Sequence, residues 1–119
     1  MKTQNIVLDK SFAFALRITK LYMHLTKNRI ERDICLQLLR SGTSIGANIE
    51  EAIGGASRKD FINKMQIAYK EARETSYWLR LLRESGWLQI ELAESFIKGC
   101  DELLKIIGSV LRSSRQTNS

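Results

Sequence analysis

A handful of residues bound the chemistry open to this chain. It has one histidine, His24, and two cysteines, Cys35 and Cys100. A di-iron helical site needs two Glu-x-x-His motifs, and none is present. A Ser-His-Asp or Cys-His hydrolase would have to use His24, whose helix neighbours Arg17, Lys20 and Lys27 are cations with no acid beside them. Two cysteines and one histidine lack the paired spacing of a zinc site. The stretch SGTSIGANIEEAIGG, Ser41 to Gly55, resembles a phosphate cradle at first sight. It lacks the lysine followed by Ser or Thr that closes a Walker-type loop, and no strand precedes it. These absences predict no catalytic residues, no metal and no cofactor.

Two other groups of residues carry charge in a pattern. Lys10, Arg17, Lys20, His24 and Lys27 are spaced 7, 3, 4 and 3 apart, so they line one edge of a helix. Lys59, Lys70, Arg73 and Arg80 fall on a later helix with Tyr77 among them, and an aromatic between cations can stack on an unpaired base. The net charge of +6 suits an anionic partner. Both rows are candidate nucleic-acid contacts. Ordinary solvated faces are the competing reading, and a docking site for an acidic protein is another.

Helices must position these rows. The chain has no proline, which favours long uninterrupted helices. Apolar residues recur at helical spacing in four segments. The first runs from about Leu8 to Thr26, with Leu8, Phe12, Ala15, Thr19 and Tyr22 on one side and Phe14, Ile18, Leu21 and Leu25 widening the arc. After a connection at 28–32, the second carries Ile34, Leu38, Ser41, Ile45 and Ala52, and stops at Gly54-Gly55. Ser57 with Asp60 reads as an N-cap. The third then shows Phe61, Met65, Ala68, Ala72, Thr75, Leu79 and Leu82 at strict 4-3 spacing, a bundle seam. The fourth, about Leu88 to Arg112, sets Leu92, Phe96, Cys100, Leu103, Ile107 and Val110 against a charged face.

The expected fold is therefore all-α, an up-down-up-down antiparallel four-helix bundle over residues 1–113, with a disordered polar tail at 114–119. No segment is apolar enough for a membrane span or a secretory signal, so the expected compartment is the cytoplasm. Cys35 and Cys100 fall on apolar faces, as buried reduced thiols would; a bridge between them stays open at this level.

Within the second helix, Gly42 and Gly46 each cost roughly 1 kcal/mol against alanine. Their spacing puts both on one face, which predicts a closely packed helix against them; a kink at Gly46 is the alternative. Gln37, Arg40, Ser44, Asn48 and Glu51 form a polar stripe bordering the core, and Glu71 and Glu74 sit between Ile67 and Trp78. Carboxylates flanked by apolar residues need partners. Gly42, Ser44, Gly46, Asn48, Glu51, Glu74 and Trp78 are accordingly read as structural or interface residues, with Glu51 and Glu74 bonded inside the bundle or across a subunit interface, Asn48 and Ser44 being candidate partners.

The run LLRSGTSIGANIEEA, followed by SRKDFINKMQIAYKEARETSYWLRLL, resembles the bacterial four-helix-bundle family of 23S rRNA intervening-sequence proteins. The matched positions are Ser44, Ile45, Asn48, Ile49 and Glu51, then Phe61, Ala68, Glu74 and Leu79. The chain departs at Gly46, Glu50 and Ala52, where the family usually has proline, alanine and glycine. Proline and Gly46 share a tolerance for a helix irregularity. The resemblance implies a homo-oligomer, a pentamer in relatives; a similar accessory protein of diversity-generating retroelements contacts a reverse transcriptase and nucleic acid, so RNA or DNA and such a protein are the partners it suggests. The first and third helices also have more apolar circumference than one bundle buries, which suits self-association.

The expected function is thus non-enzymatic binding of nucleic acid, RNA favoured, or of a nucleoprotein through the basic faces. A scaffold for an acidic protein is one alternative. A weak RNase is another, because Arg17-x6-His24 resembles the Arg-x4-6-His motif of helical RNases, where arginine steadies phosphorane charge and histidine moves a proton.

Overall fold

The computed structural model describes residues 2–116, which form four helices: α1 Lys2–Lys27, α2 Arg32–Ile53, α3 Arg58–Glu84 and α4 Ile90–Gln116. Packed pairs set their directions. Ile18 meets Gly42 while Ser11 meets Gly46. Thr75 bonds Ser41 while Lys64 pairs with Glu51. Cys100 bonds Ala72 while Arg83 pairs with Glu94. Lys10 pairs with Glu102 while Arg17 bonds Ser95. In each set one number rises as the other falls, so every neighbouring pair is antiparallel. Each helix packs on the next, and α1 closes the square against α4. The bundle measures 49 × 21 × 20 Å.

The seam expected on α3 is the observed one: Met65, Ala68, Ala72, Thr75, Leu79 and Leu82 are buried, with Phe61 half-buried. On α4, Phe96, Cys100, Leu103, Ile107 and Val110 face the core. On α1 the core stripe differs from the expected one. Val7, Ser11, Phe14, Ile18, Leu21 and Leu25 point inward, and Phe12 is 71% exposed. The two candidate stripes on α1 are both apolar, so periodicity identified the helix but not which side meets its neighbours.

The ends also differ. α1 starts at Lys2 rather than near Leu8, because Val7 still packs in the core and carries the helix outward. α4 continues to Gln116, past the expected stop at Arg112, with Arg58 Nη2 donating to the Ser114 carbonyl at 2.8 Å. The last three residues of the expected tail, 117–119, lie outside the described residues.

Local signals set the turns. Ser57 Oγ accepts from the Asp60 amide at 3.1 Å, the N-cap of α3. Gly86 takes φ +81° after α3, a left-handed conformation suited to glycine. Arg29 takes φ 62° in the α1–α2 turn, where an arginine costs roughly 1–2 kcal/mol.

Candidate nucleic-acid interface

The α2–α3 seam gathers most of the residues read as structural. Arg40 Nη2 donates to Glu74 Oε2 at 2.5 Å and Nη1 to Glu71 Oε1 at 3.2 Å. Trp78 Nε1 donates to the same Glu74 oxygen at 3.0 Å. The Trp78 indole, helped by Arg40, holds the Glu74 carboxyl below the usual carboxylate range, and Arg40 is raised in turn by its bond to Glu74. Glu71 is buried, so Arg40 neutralises a charge with little water of its own.

The expected partners of the two glutamates are corrected here. Neither reaches Asn48 or Ser44. Asn48 Nδ2 donates to the Ser44 carbonyl at 2.8 Å, one turn back on its own helix. Glu51 pairs with Lys64 at 2.8 Å across the same seam, and that bond raises the Lys64 pKa. All these contacts lie within one bundle. In sequence Arg40 reads as a member of a polar stripe and Glu71 as a carboxylate between apolar residues; nothing in a one-helix pattern pairs residues 31 positions apart.

Gly42 and Gly46 face α1, as close packing required. A Cβ on Gly42 would lie 2.8 Å from Ile18 Cγ2, and one on Gly46 would lie 3.2 Å from the Ser11 carbonyl oxygen. The helix runs unbroken through both. The glycines thus serve contact between helices of the same chain.

The basic row of α1 is partly tied to α4. Lys10 Nζ pairs with Glu102 at 3.2 Å. Arg17 Nη2 donates to Ser95 Oγ at 2.9 Å, and the guanidinium carbon sits 4.1 Å from the centroid of the Phe96 ring. Lys20, His24 and Lys27 are exposed, and Asn28 Nδ2 lies 3.5 Å from His24 Nδ1. Arg17, Lys20 and His24 share a groove with Leu21, Leu92 and Phe96. The α4 side of that groove was missed, since Phe96 and Leu92 read as plain core positions.

The row of α3 is different. Lys59, Gln66, Lys70, Arg73, Tyr77 and Arg80 are all exposed and lie on one outward strip, roughly 31 Å long from first to last. Among the described residues none of its four cations forms an ion pair. Tyr77 is half exposed and rests edge-on against Trp78, ring centroids 4.9 Å apart. Arg112 and Arg115 add charge beside Tyr69 in the adjoining α3–α4 groove.

Both cysteines are buried and free. Burial pushes the Cys100 thiol up to about 12 and raises that of Cys35. Among the described residues no helix is long and apolar enough to cross a membrane.

Fold and surface define a class: an antiparallel four-helix bundle with cations on its outer faces. The model of the 23S rRNA-intervening sequence protein family matches residues 3–109, and the chain belongs to that family. A crystal structure of a protein of unknown function from the S23 ribosomal protein family of Bacteroides thetaiotaomicron VPI-5482 is similar. It is 47% identical, with a TM-score of 0.90 over 92% of this chain and 98% of that one. No protein among the curated ones matches.

Proposed function

We propose that this protein is a non-enzymatic, self-associating bundle that binds RNA through the outer strip of α3. The observation that carries the reading is Lys59, Lys70, Arg73 and Arg80, exposed and without ion pairs among the described residues, around the braced ring of Tyr77. Unpaired cations release counterions when they meet phosphates, and a fixed aromatic offers a stacking surface for an unpaired base. The family's tie to an intervening sequence of 23S rRNA favours RNA over DNA.

Self-association is supported by α1. Phe12, Leu16 and Met23 are 71%, 50% and 63% exposed, and their spacing puts them on one outward ridge. A closed ring of subunits, such as a pentamer, would cover that ridge and repeat the α3 strip around its circumference, multiplying a weak contact. The cytoplasm is the compartment that suits such a role.

The experiment is fluorescence anisotropy of RNA and DNA across a salt series, on protein of measured native mass. Affinity in the micromolar range or tighter should fall by about 0.7 log units per tenfold rise in salt for each phosphate contacted on a single strand. Absence of binding at low salt would overturn the reading and direct attention to acidic protein partners. A native mass equal to one chain would overturn the self-association.

A further inference from the structure

The α1–α4 groove has a composition that the open strip of α3 lacks. Its volume is about 330 Å³, and six residues line it: Arg17, Lys20 and His24 on the rim, Leu21, Leu92 and Phe96 beneath. None of the six is acidic. Leu21 and Phe96 are each only 4% exposed, so the floor is a fixed part of the core surface. Arg17 is held in place by its bond to Ser95 and its seat on Phe96. Two of its five N–H groups at most are used by Ser95, and the rest remain as donors. Asn28 Nδ2 donates to the His24 carbonyl at 2.8 Å and lies 3.5 Å from the His24 Nδ1, one turn away on the same helix end.

We infer that this groove seats the terminal nucleotide of an RNA strand, with its phosphate monoester on Arg17, Lys20 and His24 and its nucleoside over the half-buried Leu92, above the buried Leu21 and Phe96. The inference rests on the RNA-binding reading above and adds recognition of an end. A phosphate monoester carries about −1.5 to −2 charges and three acceptor oxygens at neutral pH. A backbone diester or a carboxylate carries one. Three nitrogen-bearing side chains around one groove, with no acid in its lining, match the monoester. The apolar floor distinguishes the site from a simple phosphate patch, because it gives the body of the end nucleotide somewhere dry to rest. Holding Arg17 in advance lowers the ordering cost of binding.

The test compares one single-stranded RNA in three forms: a 5′-phosphate, a 3′-phosphate, and hydroxyls at both ends, each with an internal label. One phosphorylated form should bind about fivefold or more tightly than the hydroxyl form. The ratio of affinities between that phosphorylated form and the hydroxyl form should fall to about one in the double variant Lys20→Ala/His24→Ala, both exposed positions. Equal affinity for all three forms overturns the inference and leaves RNA binding standing. A preference that survives the double variant also overturns it. If no RNA binds, the RNA reading fails, and an NMR titration with nucleoside 5′- and 3′-monophosphates decides the groove separately. Saturable shifts at Arg17, Lys20 and Phe96 uphold it; none, or shifts scattered over all basic residues, reject it.

Discussion

Gly42 of α2 lies directly against Ile18 of α1, so close that a single added methyl would stand 2.8 and 2.9 Å from two Ile18 carbons. Both residues are buried, and Ile18 has no water-facing side to retreat to. Gly42→Ala gains helix propensity of roughly 1 kcal/mol but meets overpacking of about 1–3 kcal/mol. The expected net effect is a modest loss of stability in chemical denaturation. Combining it with Ile18→Ala, which removes both of those carbons, should cost less than the sum of the two single changes. Strict additivity of the two changes would contradict the contact.

Arg40 is expected to matter more than any other surface cation for stability. Arg40→Ala leaves the Glu71 carboxylate buried without its partner, a change worth about 3–5 kcal/mol when such a pair is broken. Half of Arg40 is exposed, which holds the effect to the lower part of that range. Lys64→Ala removes a solvent-screened pair with Glu51 and should cost clearly less than the loss of Arg40. Equal melting temperatures for the two variants would be incompatible with this ranking.

The Glu74 carboxylate gives the fold an acid dependence. Its pKa in the folded chain is depressed, first by the bond from Trp78 and then by Arg40. A depressed carboxylate contributes stability fully above its unfolded value, about 4.3, and loses it as pH falls through the folded value. Stability should therefore drop below about pH 4.5 more steeply in the native chain than in Glu74→Gln. Parallel denaturation curves from pH 6 to pH 3 would show that the site contributes nothing to acid sensitivity.

Charge and ring on α3 should separate experimentally. Arg73→Glu should weaken single-stranded and duplex RNA alike, and lower the salt slope by about 1. Tyr77→Ala should weaken single strands by about 1–3 kcal/mol and leave duplex binding near its starting value, since paired bases do not stack on a side chain. Equal losses on both substrates would assign Tyr77 a packing role against Trp78.

The cysteines should be inert in the folded state. Cys100 donates to the Ala72 carbonyl and carries a thiol pushed up to about 12, so almost none is thiolate at neutral pH. Alkylation of native protein should follow the rate of unfolding, with both thiols reacting freely in denaturant. Fast labelling of the folded chain would place one of them at a more open position.

The chain disclosed its helices and much of its core through spacing, because 4-3 periodicity reports which side of a helix meets a partner. Met65 through Leu82 and Phe96 through Val110 were legible for that reason. α1 was harder. Phe12 and Phe14 both continue an apolar row, and the row that goes inside is the one whose Ile18 meets Gly42 on the neighbouring helix. The glycines themselves signalled close approach correctly. The identity of charge partners was not legible. Arg40 meeting Glu71 and Glu74, or Arg17 meeting Phe96, depends on register between helices, which no single-helix pattern carries. For the same reason the basic row of α1 looked as free as that of α3, although Lys10 and Arg17 are engaged with α4.

The closing of α1 on α4 has a kinetic consequence. Every other packed pair is joined by a short turn and forms from nearby chain. The α1–α4 seam ties residues 78 and 92 positions apart, so its loop-closure entropy is the largest in the fold. It is the natural last step of folding and the first place for sub-global opening. Amide exchange should then report α1 or α4 detaching at lower free energy than the α2–α3 pair. A groove built across that seam exists only in the fully closed bundle, and anything bound there would act as a latch on the native state.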